Sequence, residues 1–150
     1  MRMLLIDKVI SVGDAHINTL KNVTLNEDIY EHHFKNYPIM PAAFIIEASI
    51  QSARLWLWKI SDMSETFMPL DFQKFTFTKS VLPGDTLSIN IKLMINSINN
   101  ERKLKANIFA FSNNKTVCKG KFSGMIVDFL QIHEYKPSKQ FYDFVMREVM

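Results

Sequence analysis

The residues of this chain best placed to do chemistry lie between positions 31 and 60. His32 and His33 precede Pro38 and Pro41, and Glu47, Gln51 and Arg54 follow inside an otherwise apolar run. Histidine is the side chain that exchanges a proton nearest to neutral pH. Glu47 stands among Ile45, Ile46, Ala48 and Ile50, where a carboxylate is costly unless it has a partner or a task. At i, i+4 and i+7, Glu47, Gln51 and Arg54 share one helix face. Pro38 and Pro41 hold the lead-in extended, because proline disfavours helical backbone in the residue before it. Pro41 also suits the first turn of a helix. The pattern predicts a helix from Pro41 to about Lys59, apolar on nearly every side and therefore buried. Ala42 and Ala43 would present the unpaired N–H groups of its first turn, which attract negative charge.

The elements that must position these groups follow from the rest of the chain. Met3–Val12 is apolar enough for a first strand, and Gly13-Asp14 ends it. His16–Val23 alternates loosely and reads as a second strand. Asn26-Glu27-Asp28 marks a turn or a short helix start. Ser61–Pro69 is polar and reads as a connecting loop with local helix. Phe72, Phe75 and Phe77, with Thr76 and Thr78, suggest a strand, and Val81–Asp85 a turn. Leu87, Ile89, Ile91 and Leu93 alternate with Ser88, Asn90 and Lys92, the pattern of a half-buried strand. Asn96–Arg102 reads as a hairpin loop, Leu104–Ala110 as a strand, and Asn113-Asn114 as a turn. Thr116–Val127 is a last strand, with Gly120 and Gly124 as sites of a bulge or a close approach. In the tail, Ser138 is placed to cap a helix carrying Phe141, Phe144 and Val145. About six strands and one long buried helix make an α+β layout, an antiparallel sheet wrapped on a helix. Residues 1–150 read as one domain, with 128–150 as a C-terminal extension.

Composition narrows the function classes. The chain has 150 residues, of which 47% are hydrophobic and 22% charged, the balance of a globular domain. The longest apolar run carries Glu47 and Arg54, which argues against a membrane span. Asp7 and Lys8 interrupt the start, so Met1–Ile10 does not read as a signal peptide. Cys118 is the only cysteine, which excludes an internal disulfide and a thiolate metal site. His16 and His133 have no patterned partners, so no metal is expected. A cytoplasmic protein is the default reading. The net charge is +3 and the lysines and arginines are scattered, so nucleic acid is not an expected partner. A mildly positive surface suits an acidic one.

The motif resembles that of the 3-hydroxyacyl-acyl carrier protein dehydratases of the hot-dog fold. Their pattern is His-Phe-Pro-Gly-x-Pro-x-x-Pro-Gly, with an acid five residues later. Here His33, Phe34, Pro38, Pro41 and Glu47 stand at that spacing, followed by Ala48 and Gln51. Leu82-Pro83-Gly84-Asp85-Thr86-Leu87 resembles a second element of the family, Val-x-Pro-Gly-Asp-x-Leu. The resemblance covers about residues 4–127. It differs at Lys35-Asn36, where the family has Pro-Gly, and at Ala42, where it has glycine.

Dehydration of a 3-hydroxyacyl thioester needs a base beside the carbonyl, an acid for the departing hydroxyl, and dipoles for the enolate-like oxygen. The resemblance implies His33 as base, Glu47 as acid, and the N–H groups at Ala42 and Ala43 as the oxyanion site. It implies Pro38 and Gln51 as further substrate-binding residues. It implies no metal and no cofactor. The implied partner is acyl carrier protein, which brings the substrate on its phosphopantetheine arm. Family sites are shared across a dimer, so a homodimer is expected, with room for a higher oligomer. Plainer readings stand beside these. His33 can be a loop histidine bonded to backbone, Glu47 one member of a solvated stripe, and His32 a bystander. A hot-dog thioesterase and a non-catalytic acyl-binding subunit are the alternative functions.

Overall fold

The structure is a computed structural model and describes residues 3–150. Its strands are β1 (Lys8–Val12), β2 (His16–Asn22), β3 (Glu65–Phe77), β4 (Thr86–Ile98), β5 (Glu101–Ser112) and β6 (Lys115–Asp128). The helices are α1 (Ala42–Ile60) and α2 (Tyr135–Val145), with a short 3-10 turn at Asp28–Glu31. All six strands form one antiparallel sheet in the order β1-β2-β4-β5-β6-β3. With α1 packed on it, this is the α+β layout read from the residues and the hot-dog arrangement that the resemblance implies.

Alternation builds the inner face of the sheet. Leu87, Ile89, Ile91 and Leu93 of β4 are buried, as are Leu104, Ala106, Ile108 and Ala110 of β5. Register sets large against small: Ile89 faces Ala110 and Leu93 faces Ala106. The helix meets this surface through small residues. Ala48, Ser49, Ser52 and Ala53 are fully buried, and the hydroxyls of Ser52 and Thr19 bond at 2.8 Å. The serine hydroxyls also return to the helix carbonyls of Ile45 and Ala48, so α1 buries them without leaving them unsatisfied.

Four expectations need correction. Only Lys8–Val12 of the first stretch is strand; residues 3–6 lie instead along α1, where Leu5 N–H and Met3 O are bonded by Gln51. The predicted loop 61–69 ends early, because Glu65–Pro69 pairs with β6 (Thr66 with Val127, Phe67 with Ile126). The predicted loop 96–102 shrinks to Asn99-Asn100, both at positive φ (53° and 64°). That two-residue mirror turn follows the twist of the strands and lets them run to its edge. The tail helix begins at Tyr135 rather than at Ser138, and Ser138 caps nothing. It buries Tyr142 and Val145, while Phe144 is 63% exposed.

The two glycines of β6 are close-approach sites, as expected. A Cβ on Gly124 would lie 2.6 Å from Met68 O, and one on Gly120 would lie 2.5 Å from the Phe75 ring. The two sheet edges differ. Short β1 packs against α2, and Lys8 pairs with Glu148. Long β3 is open and carries exposed Met68, Leu70, Phe72 and Phe77. Among the described residues, no helix is long and apolar enough to cross a membrane.

Candidate active site

Backbone bonds on both sides hold the loop before α1 in place. His33 N–H reaches Ile29 O at 3.0 Å, and Ile39 N–H reaches His33 O at 2.9 Å. Phe34 and Tyr37 exchange two bonds, N to O at 3.1 and 3.0 Å. Lys35-Asn36 is thus the exposed tip of a small closed loop. Met40 N–H then donates to Val81 O at 2.7 Å. The second motif therefore acts as an anchor. Its turn is closed by Asp85, which accepts Leu82 N–H at 3.0 Å on its carboxylate. Gly84 supplies the positive φ of 99° that a side chain would resist, and the turn is tied to β2's end by Gly84 N–H to Val23 O at 2.8 Å.

His33 Nδ1 lies 2.8 Å from Ile39 O. A carbonyl oxygen only accepts, so Nδ1 carries the proton and the lone pair is on Nε2. The plain reading of His33, a loop histidine bonded to backbone, is the geometry observed. That same bond fixes the tautomer a base requires. Phe34 stacks on the imidazole with ring centroids 4.2 Å apart. His32 is exposed and lies in a separate cavity with Glu27 and Asp28.

Glu47 is half-buried on α1. Gln51 Nε2 donates to its Oε1 at 3.1 Å and to Met3 O at 2.8 Å, and Gln51 Oε1 accepts Leu5 N–H at 2.9 Å. The predicted stripe is real: Glu47, Gln51 and Arg54 together line a cavity of about 260 Å³. His33 is not among the residues that line this cavity. At the start of α1, Pro41 O accepts the first intrahelical bonds, from Phe44 and Ile45. The N–H groups of Ala42 and Ala43 have no intrahelical acceptor, and both residues are exposed. Pro38 is half-buried between the closed loop and Ile39.

One residue escapes sequence reasoning. His133 lines the Glu47 cavity from the tail, together with Pro137, Ser138 and Phe141. Trp58 Nε1–H donates to Thr66 Oγ1 at 3.2 Å, and Thr66 Oγ1 lies 3.0 Å from His133 Nε2. Thr66 is fully buried, and its hydroxyl is hydrogen-bonded to His133 Nε2, the donor being set by the imidazole tautomer. Burial, reinforced by the charge of Arg54, pushes the imidazole of His133 down to about 4. It is therefore neutral at pH 7. Thr66 and His133 are 67 residues apart, and no spacing pattern in the sequence joins them. Among the described residues, no group of three or more His, Cys, Asp or Glu side chains is gathered to hold a metal ion.

Known proteins resemble this chain in sequence and in fold. Residues 1–121 match the FabA-like domain. The 3-hydroxyacyl-[acyl-carrier-protein] dehydratase FabZ of Petrotoga mobilis is 37% identical over 116 residues, 76% of this chain and 76% of that protein. FabZ of Streptococcus pyogenes is 44% identical over 86 residues, 57% of this chain and 62% of that protein. The chain thus spans less than two thirds of the length of the streptococcal relative. Among solved structures, the dehydratase heterocomplex ApeI:P of Xenorhabdus doucetiae superposes with a TM-score of 0.67 at 16% identity, covering 93% of this chain and 89% of that one. A hypothetical thioesterase with coenzyme A from Streptococcus pneumoniae superposes at 0.61 and 14% identity, covering 81% and 88%. At such identities these two share the fold. On the domain match and the Petrotoga relative, the chain belongs to the FabA-like family.

Proposed function

We propose that this chain removes water reversibly from a 3-hydroxyacyl thioester carried on acyl carrier protein, giving a trans-2-enoyl thioester, in fatty-acid or specialised acyl synthesis. The observation that carries the reading is the bond from His33 Nδ1 to Ile39 O, which leaves Nε2 free as a base. His33 Nε2 takes the proton from C2. That electron pair becomes the C2–C3 double bond, and the C3–O bond breaks. Glu47 gives its proton to the departing oxygen, which leaves as water. The N–H of Ala42, supported by that of Ala43, holds the thioester oxygen while negative charge builds there. Pro38 shapes the lead-in, and Gln51 holds Glu47 in place. The step as written uses no metal and no cofactor. The membership of the family and the FabZ relatives support the same reading.

The separation of His33 from the Glu47 cavity, and the open apolar edge of β3, support a homodimer with shared sites. An edge of that kind must be paired or covered. On the outer sheet face, Lys92, Lys105 and Lys121 line a groove of about 410 Å³. Lysines scattered in sequence are gathered there, which suits electrostatic steering of an acidic carrier protein. Residues 1–150 act as one hot-dog domain with 128–150 as an extension, in the cytoplasm.

The test is incubation with a 3-hydroxyacyl thioester. Growth of enoyl absorbance without release of thiol is the expected result. Free thiol instead would make the chain a thioesterase, and neither signal a non-catalytic acyl-binding subunit.

A further inference from the structure

Arg54 is a charged group without a counter-ion. Its Nε is enclosed and makes no hydrogen bond. Its Nη2 has one long contact, 3.5 Å to Phe67 O. The guanidinium lies over the Phe67 ring, 5.5 Å from the centroid. Among the described residues, the ion pairs of the chain leave Arg54 out. Glu47 is two helical turns away, and its carboxylate is turned toward Gln51. A guanidinium keeps its proton in proteins, so the charge stays, and a half-buried charge without a close partner is under-compensated. Burial does lower the pKa of Arg54, and the more distant Glu47 offsets part of that.

The surroundings of Arg54 are those of a receptor for an anion. Arg54 lines the same cavity as Glu47 and Gln51, and beyond those two its walls are apolar (Leu4, Trp58, Phe141) or neutral (His133, Ser138). His133 adds no second charge. The wall from 133 to 141 lies beyond the residues 1–121 that match the family. Position matters as much as charge. Ala42 N–H, Glu47, Gln51 and Arg54 succeed one another along α1. At 1.5 Å of rise per residue, Arg54 lies about 10 Å beyond Glu47. In the proposed reaction the hydroxyl carbon is at Glu47, and the cavity that Glu47 lines reaches Arg54. The remainder of the acyl chain then runs along this face toward Arg54.

We infer that Arg54 is a specificity-determining residue that receives a carboxylate at the distal end of the acyl chain, inside the cavity closed by the tail. A guanidinium fork matches a carboxylate with two parallel hydrogen bonds. The inference rests on the dehydratase reading for the direction of the acyl chain, but its test does not need turnover.

The experiment measures binding of unreactive acyl-pantetheine thioethers of equal length by calorimetry. One ends in a carboxylate, one in its methyl ester, one in a methyl group. Wild-type protein should bind the carboxylate about tenfold more tightly than the methyl-terminated chain, the scale of one charge-assisted hydrogen bond. Arg54→Met keeps length and contact with Phe67, and should reverse the order. Arg54→Lys keeps the charge and should retain part of the preference, which covers the case in which R54M does not fold. Equal affinities in wild type, or a preference that survives R54M, would overturn the inference. So would failure to bind any of the three. Turnover of the corresponding 3-hydroxyacyl thioesters separates the two readings. Dehydration with no carboxylate preference removes the Arg54 site alone, and carboxylate-selective binding without dehydration removes the reaction alone.

Discussion

Gln51 ties Glu47 to the N-terminal segment through three hydrogen bonds of 2.8 to 3.1 Å, to Glu47 Oε1, Met3 O and Leu5 N. The amide spends both N–H donors and its oxygen in this arrangement, so its orientation is determined. The residues before β1 thereby set the position of a side chain on α1.

Gln51→Leu should therefore loosen Glu47 without unfolding the helix, since leucine is a good helix former. Turnover of a 3-hydroxyacyl thioester should fall by roughly tenfold to a hundredfold, the scale of a misplaced catalytic group, with kcat falling more than KM rises. A fall confined to KM would mean that Gln51 contacts substrate rather than positioning Glu47.

His33→Ala and Glu47→Gln should each cut turnover by at least about a hundredfold, the usual scale for an acid or base, with an unchanged far-UV circular dichroism spectrum. His32→Ala should have little effect, because His32 is exposed and lines a different cavity. An essential His32 with a dispensable His33 would place the motif in the wrong register.

Legibility follows the range of the interactions. The helix was readable because Pro41, the unbroken run after it and the polar stripe are all local. The same holds for the Asn113-Asn114 turn and the alternation of β4 and β5. Pairing across the sheet was not readable. The first residues of β3 are strand because β6 lies beside them, although their own composition reads as loop. The short Asn99-Asn100 turn was hidden for a related reason: the mostly polar residues 96–98 and 101–103 look like loop until two long strands pair through them. Of the candidate site, His33 and Glu47 were singled out by the motif that carries the family resemblance, and the anchoring role of Val81–Asp85 was not. The tail wall with His133 left no trace, since it depends on Thr66 and Trp58, distant in the chain.

Ala42 replaces a glycine of the family at the start of α1. If its methyl crowds the thioester, Ala42→Gly should raise activity or widen the range of acyl chains accepted. The helix should lose no more than about 1 kcal/mol, and less this close to its end. Lower activity with unchanged melting temperature would show a site adapted to alanine.

His133 makes stability depend on pH in a defined window. Its imidazole titrates near 6.5 in the unfolded chain and at about 4 in the folded one, through burial and the charge of Arg54. Between those values the unfolded chain binds the extra proton, so stability rises with pH there. The contribution is complete above pH 6.5 and is lost as pH falls toward 4. Because the ring is half-exposed, its size is discounted to about 1 kcal/mol. His133→Gln retains both a donor and an acceptor for the Thr66 hydroxyl and does not titrate. It should flatten the pH dependence of the denaturation midpoint between pH 4 and 6.5. An unchanged slope would assign the dependence to other groups.

Sharing of sites between two chains gives the strictest prediction. In one chain, Glu47 lines a cavity from which His33 is absent, while β3 leaves thirteen residues of strand edge open and presents Met68 at 49% and Leu70 at 55% exposure. Edge-to-edge pairing of two such sheets would cover these side chains and bring a second chain beside the first. His33→Ala and Glu47→Gln chains, each inactive alone, should then complement each other when unfolded and refolded together. Random two-fold assembly makes half the dimers mixed, and each mixed dimer regains one of its two sites. The mixture should recover roughly a quarter of wild-type activity. Mixed dimers confirmed by mass but devoid of activity would mean that His33 and Glu47 of the same chain form the site.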